Sequence, residues 1–238
     1  MPVRTAPPRH AKAPAKPHRS PAAIIGVIGE LLLTAGLLVL LWVGYVLWGT
    51  GIQTDQAQDE LRTQISAEWP DPVHVGTAAT APPSEEPPDE IELGDGYAIL
   101  RIPRLGADWA WVVVQGVQLS DLTRGPGHYE DTANPGELGN VAIAGHRAGH
   151  GAPFADLDKI EIGDVVEVET ATGVWTYTVD EGPHIIDPTE IWVVDPAPGL
   201  GANAEPTERR ITLTTCHPRY GSSQRMYVSG VLSAGEEV

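Results

Sequence analysis

The stretch Ala22–Trp48, AAIIGVIGELLLTAGLLVLLWVGYVLW, limits what this chain can fold into more than any other feature. As a helix its 27 residues would extend about 40 Å, enough to cross a bilayer hydrocarbon core of about 30 Å. Leu31–Trp48 carries no charge, and the one acid of the run, Glu30, stands towards its start. Trp42, Tyr45 and Trp48 gather at the far end, where an interfacial aromatic belt belongs. A secretory signal would have a shorter apolar core and then a small-residue cleavage site. No Ala-x-Ala follows Trp48. Residues 22–48 therefore read as a retained single-pass membrane helix.

Charge orients that helix. The chain has 15 Lys and Arg against 32 Asp and Glu, a formal net charge of −17. The five basic residues of positions 1–21 are accompanied by no acid, whereas everything from Gly49 onward holds 10 basic and 31 acidic residues. The positive-inside rule puts the basic tail, residues 1–21, in the cytoplasm and the rest outside. An acidic body does not suit phosphate backbones, so no nucleic-acid partner is expected. Residues 49–90 read as an extracellular linker: a short helix over Thr54–Glu68 with Leu61 and Ile65 on one face, then the Pro-rich spacer TAATAPPSEEPPDE. His10 and His18 in the tail and His74 in the linker need no special role.

Residues 91–238 are long enough for one domain with its own core. Short apolar runs predict strands near Tyr97–Ile102, Trp109–Val114, Asn140–Ala144, Val165–Glu169, Trp175–Val179, Glu190–Val194, Arg210–Thr214 and Arg225–Val231. GPG, NPG, GDG and PAPG mark the loops between them, and short helical turns are expected at Asp121–Arg124 and Phe154–Leu157. No fixed-period repeat is present. The class is all-β, a barrel in preference to a sandwich.

There is one cysteine, Cys216, so no disulfide forms within the chain and no zinc–thiolate cluster can be built. It closes the β-branched run ITLTTC, and the following His-Pro ends the strand. RMYVSGVL then starts the next strand with Arg225, so a hairpin would set Cys216 and Arg225 at one edge. Upstream, the strand NVAIAGHR ends in His146. A thiol, an imidazole and a guanidinium at strand ends suit covalent catalysis: the thiolate attacks, the imidazole moves the proton, and the fixed fork of the arginine meets the oxyanion. Other histidines compete for the base role. His217 adjoins the cysteine but would point to the opposite face of the strand. His128, His150 and His184 fall in loops, and spacing alone does not exclude them.

Two segments, GPGHYEDTANPGELGNVAIAGHR (Gly125–Arg147) and TLTTCHPRYGSSQRMYV (Thr212–Val228), resemble the sortases, membrane-anchored cysteine transpeptidases of Gram-positive bacteria. The family pattern is a strand ending in His, then Thr-Leu-x-Thr-Cys, then Arg about nine residues on; the likeness covers about Tyr97–Leu232. GHRAGHGAPF, TTCHPRY and the loop Pro196–Thr207 look most like class E. The resemblance implies an eight-stranded β-barrel with short helical turns. It implies cleavage of a C-terminal sorting signal, Leu-Ala-x-Thr-Gly or Leu-Pro-x-Thr-Gly, between Thr and Gly. A thioester on Cys216 would then be resolved by an amine of a cell-wall precursor or a pilin. His146 would be general acid and base, and Arg225 would position substrate and support the oxyanion. Thr215 would line the signal groove, Tyr129 would stand where a class E tyrosine accepts alanine in the signal, and Pro196–Thr207 would border the groove. The acids are scattered, with no ordered ligand loop, so no metal or other cofactor is expected. Two other classes stay open on the residues alone: an L,D-transpeptidase-like wall enzyme, whose Ser-x-Gly-Cys is absent, and a catalytically silent wall-binding module.

Overall fold

The computed structural model describes residues 21–69, 91–201 and 204–237. Residues 1–20 of the expected tail 1–21, and residues 70–90 of the expected linker 49–90 with its Pro-rich spacer 77–90, lie outside the described residues. The chain forms two compact units, Met1–Val43 and Gly44–Val238.

Helix α1 spans Pro21–Gly44. Its segment Ile25–Gly44 has 20 residues and a mean hydropathy of 2.2, long and apolar enough to cross a membrane. The run loses its straight-helix form before the expected end: Tyr45–Gly49 is a π-helical turn.

The second unit opens with α2, Thr50–Glu68, which is longer than the helix expected and is not part of a free linker. Thr50, Thr54, Gln58, Leu61 and Ile65 repeat every three or four residues and are all buried. Leu61 and Ile65 pack with Val112 and Val114 of the barrel. Full burial of two such side chains is worth roughly 1.5–3 kcal/mol each.

Eight strands close a barrel in the order β1-β2-β3-β4-β7-β8-β6-β5. They are β1 Gly96–Arg101, β2 Ala110–Gln115, β3 Gly127–His128, β4 Gly139–Ala144, β5 Val165–Thr170, β6 Gly173–Ile186, β7 Arg209–His217 and β8 Gln224–Glu237. Pairings are antiparallel except β2–β3 and β4–β7, which are parallel. Alternate residues point inward, and Leu100, Val113, Ile143, Val168, Tyr177 and Leu213 meet in the core.

Seven of the expected strands form, β6 and β8 running well past the expected ends. The eighth does not: Ile191–Val194 is a 3₁₀ turn in which only Val193 is buried, between Asp187-Pro188 and Asp195-Pro196. Its place in the count is taken by the two-residue β3, too short to show a period of two. The helical turns also shift, to α3 Leu119–Leu122 and a 3₁₀ turn at Leu157–Lys159. His128 and His184, expected in loops, stand on β3 and β6.

Candidate active site

Strands β4 and β7 run side by side and in the same direction, paired from Gly139↔Arg209 to Ala144↔Thr214. Both chains continue two residues beyond that last pair, to His146 and Cys216. Adjacent strands lie about 4.8 Å apart, so the backbones that carry the imidazole and the thiol leave neighbouring strand ends. On the other side of β7 the antiparallel register pairs Cys216 with Arg225 of β8. Cys216 and Arg225 are therefore paired on β7 and β8, and His146 follows the end of the adjacent β4 at the same end of the barrel.

Alternation decides which side chains accompany them. Ile211 and Leu213 of β7 belong to the core, so Thr212, Thr214 and Cys216 share the outward face. Thr214 pairs with Tyr227 and Thr212 with Ser229 on β8, extending that face away from the thiol. About 13 Å along β7 from Cys216, at four strand residues of about 3.3 Å each, this face meets a cavity of about 270 Å³. Val193, Pro196, Ala197 and Leu200 of the β6–β7 connection line the cavity together with Thr212 and Tyr227. Pro196, Ala197, Leu200, Pro206 and Thr207 of that connection thus border the outer face of β7.

Thr215 does not stand where the resemblance would have it. It is buried on the opposite face from Cys216, and its hydroxyl donates to Gly145 O at 2.7 Å, tying β7 to the end of β4. Tyr129 is half-buried beside β4, its backbone N–H donating to Ala142 O at 3.0 Å. His217 continues β7 and projects away from the thiol; its Nδ1 meets Arg147 Nη1 at 2.7 Å.

Cys216 is half-buried. Arg225 Nη1 donates to Ser222 O and Gln224 O, both at 3.1 Å, so the guanidinium curls over the β7–β8 loop. A guanidinium carries five N–H donors, and Nε and Nη2 donate to no group among the described residues. His146 Nε2 is buried and has no hydrogen-bond partner among the described residues. Burial, then the nearby His150, hold His146 below its ordinary value of 6.5, which favours the neutral imidazole that can accept a proton.

The part of GHRAGHGAPF that follows His146, legible in the sequence only as a family likeness with His150 in a loop, packs on His146. The His150 ring lies 4.8 Å from that of His146, centre to centre. Gly149, His150, Gly151 and Ala152 all have φ between 46° and 68°, four consecutive left-handed residues of which two are not glycine. Their conformation is held from outside: His150 N–H donates to Thr50 Oγ1 of α2 at 3.1 Å. Behind the histidine, Gly145 has no room for a side chain, since a Cβ there would sit 2.6 Å from the Phe154 ring. The unusual Gly-His-Gly-Ala-Pro run after His146 was the one signal in the sequence that could have marked this turn.

Residues 100–233 match the family model described as the sortase domain. Among curated proteins, the chain is 33% identical over 229 residues to Sortase SrtE1 of Streptomyces coelicolor, covering 92% of this chain and 61% of that protein. It is 32% identical to Sortase SrtE2 of the same organism, covering 94% of this chain and 87% of the relative. Among solved structures, sortase E from Streptomyces avermitilis aligns with a TM-score of 0.56 at 39% identity, over 62% of this chain and 93% of that one. Sortase E1 from Streptomyces coelicolor, solved with a tripeptide in its active site, aligns with a TM-score of 0.54 at 34% identity, over 60% of this chain and 91% of that one.

Proposed function

We propose that this chain, which belongs to the sortase family of cysteine transpeptidases, uses Cys216 to cleave a C-terminal sorting signal between Thr and Gly and passes the protein to an amine. The observation that carries the reading is the seam itself: His146 and Cys216 at neighbouring strand ends, with Arg225 of β8 in register with Cys216.

In the first half-reaction, neutral His146 takes the thiol proton and the Cys216 sulfur attacks the Thr carbonyl. The oxyanion draws hydrogen bonds from Arg225, whose planar fork keeps its charge. His146 then returns the proton to the departing Gly nitrogen, leaving a thioester. In the second, His146 takes a proton from an incoming amine, the amine attacks the thioester carbonyl, and Cys216 leaves. The cavity beyond Thr212 and Tyr227 supports a groove for residues upstream of the scissile bond, with Tyr129 alongside β4 reading the second position of the motif. The favoured motif is Leu-Ala-x-Thr-Gly, with Leu-Pro-x-Thr-Gly as the alternative. The acceptor amine belongs to a cell-wall precursor or a pilin lysine. The basic tail lies in the cytoplasm and the barrel outside, anchored by α1.

The test is cleavage of a fluorogenic Leu-Ala-x-Thr-Gly peptide by the detergent-solubilised chain, with triglycine as acceptor. Cys216→Ala should abolish both turnover and the trapped acyl-enzyme. Undiminished turnover by that variant would refute the proposal.

A further inference from the structure

His146 and Cys216 lie past the end of the backbone ladder that aligns their strands. The last rung is Gly145 N–H to Thr214 O at 3.0 Å. Beyond it one chain enters the left-handed turn and the other reaches the cis His217–Pro218 peptide. What joins the two chains there is made of side chains. Thr215 Oγ1 donates to Gly145 O at 2.7 Å, and two residues further Arg147 Nη1 meets His217 Nδ1, also at 2.7 Å. On β7, 215 and 217 face away from 216, and the bond to His217 draws the Arg147 side chain to that same side. The contact between the residue after the base and the residue after the nucleophile therefore sits directly behind the reacting pair.

We infer that Arg147 and His217 form a clamp that sets the separation of His146 and Cys216, a positioning pair for the reaction proposed above, on which this role rests. Three features fit a clamp better than a chance contact. Arg147 is only 6% exposed, uncommon for an arginine on a turn, and its Nη2 is held by Asp158 Oδ1 at 3.0 Å. Asp156, two residues earlier, reaches Arg219 at 3.6 Å, so the Asp156–Lys159 segment touches the chain after His146 and the chain after Cys216. The contact also has a fixed direction. Guanidinium only donates, so His217 Nδ1 accepts and the ring proton sits on Nε2. Any side chain at 217 that offers an acceptor at the Nδ1 position preserves the clamp, and one that offers none opens it.

That rule defines the experiment, made on the full chain in detergent. His217→Leu removes the acceptor, whereas His217→Asn puts an amide oxygen close to the Nδ1 position. Three quantities are read for each: kcat and KM with the sorting peptide, the rate of Cys216 alkylation by iodoacetamide, and the thermal midpoint. A displacement of about 1 Å between base and nucleophile costs on the order of 10- to 100-fold, so His217→Leu should lose at least about 10-fold in kcat with KM nearly unchanged. His217→Asn should recover most of it, with the two midpoints in agreement. Alkylation should slow in the Leu variant and not in the Asn variant, because the thiol has lost its neighbouring imidazole. Equal kcat losses in the two variants, or a Leu variant as fast as the parent, overturn the clamp. If the parent cleaves no sorting peptide, the proposed function fails, while alkylation still decides the clamp: slowed only in Leu upholds it, unchanged or equally slowed overturns it.

Discussion

Gln58→Leu separates a docked α2 from a solvated spacer. Gln58 is 2% exposed, and it binds the barrel through backbone groups that no strand satisfies. Its Nε2 donates to Val112 O and to Arg124 O, both at 2.9 Å, and its Oε1 accepts from Val112 N at 2.8 Å. The amide thereby seals the edge of β2 where β3, only two residues long, gives no cover. Leucine fills a similar volume but satisfies none of the three groups. A buried backbone group left without a partner costs about 1–3 kcal/mol, and the two groups of Val112 are buried, so even the low end gives about 2 kcal/mol. For a unit of this size each kcal/mol moves the thermal midpoint by about 2–4 °C, which predicts a drop of about 6 °C. The assay is calorimetry or near-UV circular dichroism of the full chain in detergent. A midpoint within about 1 °C of the parent would mean that α2 stands off the barrel in solution, which refutes its docking on β2.

Two further outcomes rest on buried imidazoles. Burial pushes His128 down to about 4 from an ordinary 6.5, against the opposing pull of the Ala133 carbonyl and Glu137. The unfolded chain then binds the extra proton first. The stability this group supports is fully present above pH 6.5 and is lost as pH falls from 6.5 towards about 4, by up to about 3 kcal/mol. Urea melts across that range should show the loss, and His128→Gln should flatten it; an unchanged acid slope in the variant would count against it. At the site, His150→Ala removes both a covering ring and a neighbouring charge from His146, so the His146 titration followed by NMR should move upward towards 6.5. A downward move would contradict the assigned causes.

The membrane helix, the all-β class and the thiol–imidazole–guanidinium set were legible in the residues because each rests on local pattern. The apolar run Ala22–Trp48 reads the same in any context. The hairpin that pairs Cys216 with Arg225 needs only a strand, a Pro/Gly turn and a second strand. By contrast, α2 was read as linker because three of its five buried residues, Thr50, Thr54 and Gln58, are polar. They are buried because the barrel offers unpaired backbone groups to them, and hydrophobic periodicity does not register such partners. The apolar run at Ile191–Val194 misled in the opposite way: β propensity expresses a fit to neighbouring strands, and here no strand edge receives it.

The sequence by itself determined which groups are available for chemistry, since residue type fixes nucleophile, base and cation before any folding. Only the tertiary structure decided which neighbours each of them has. The parallel β4–β7 register brings together residues 70 positions apart, His146 with Cys216 and, behind them, Arg147 with His217. The same register turns Thr215 inward to brace Gly145. Those contacts follow from barrel closure and side-chain alternation, and neither is written in a local stretch of chain.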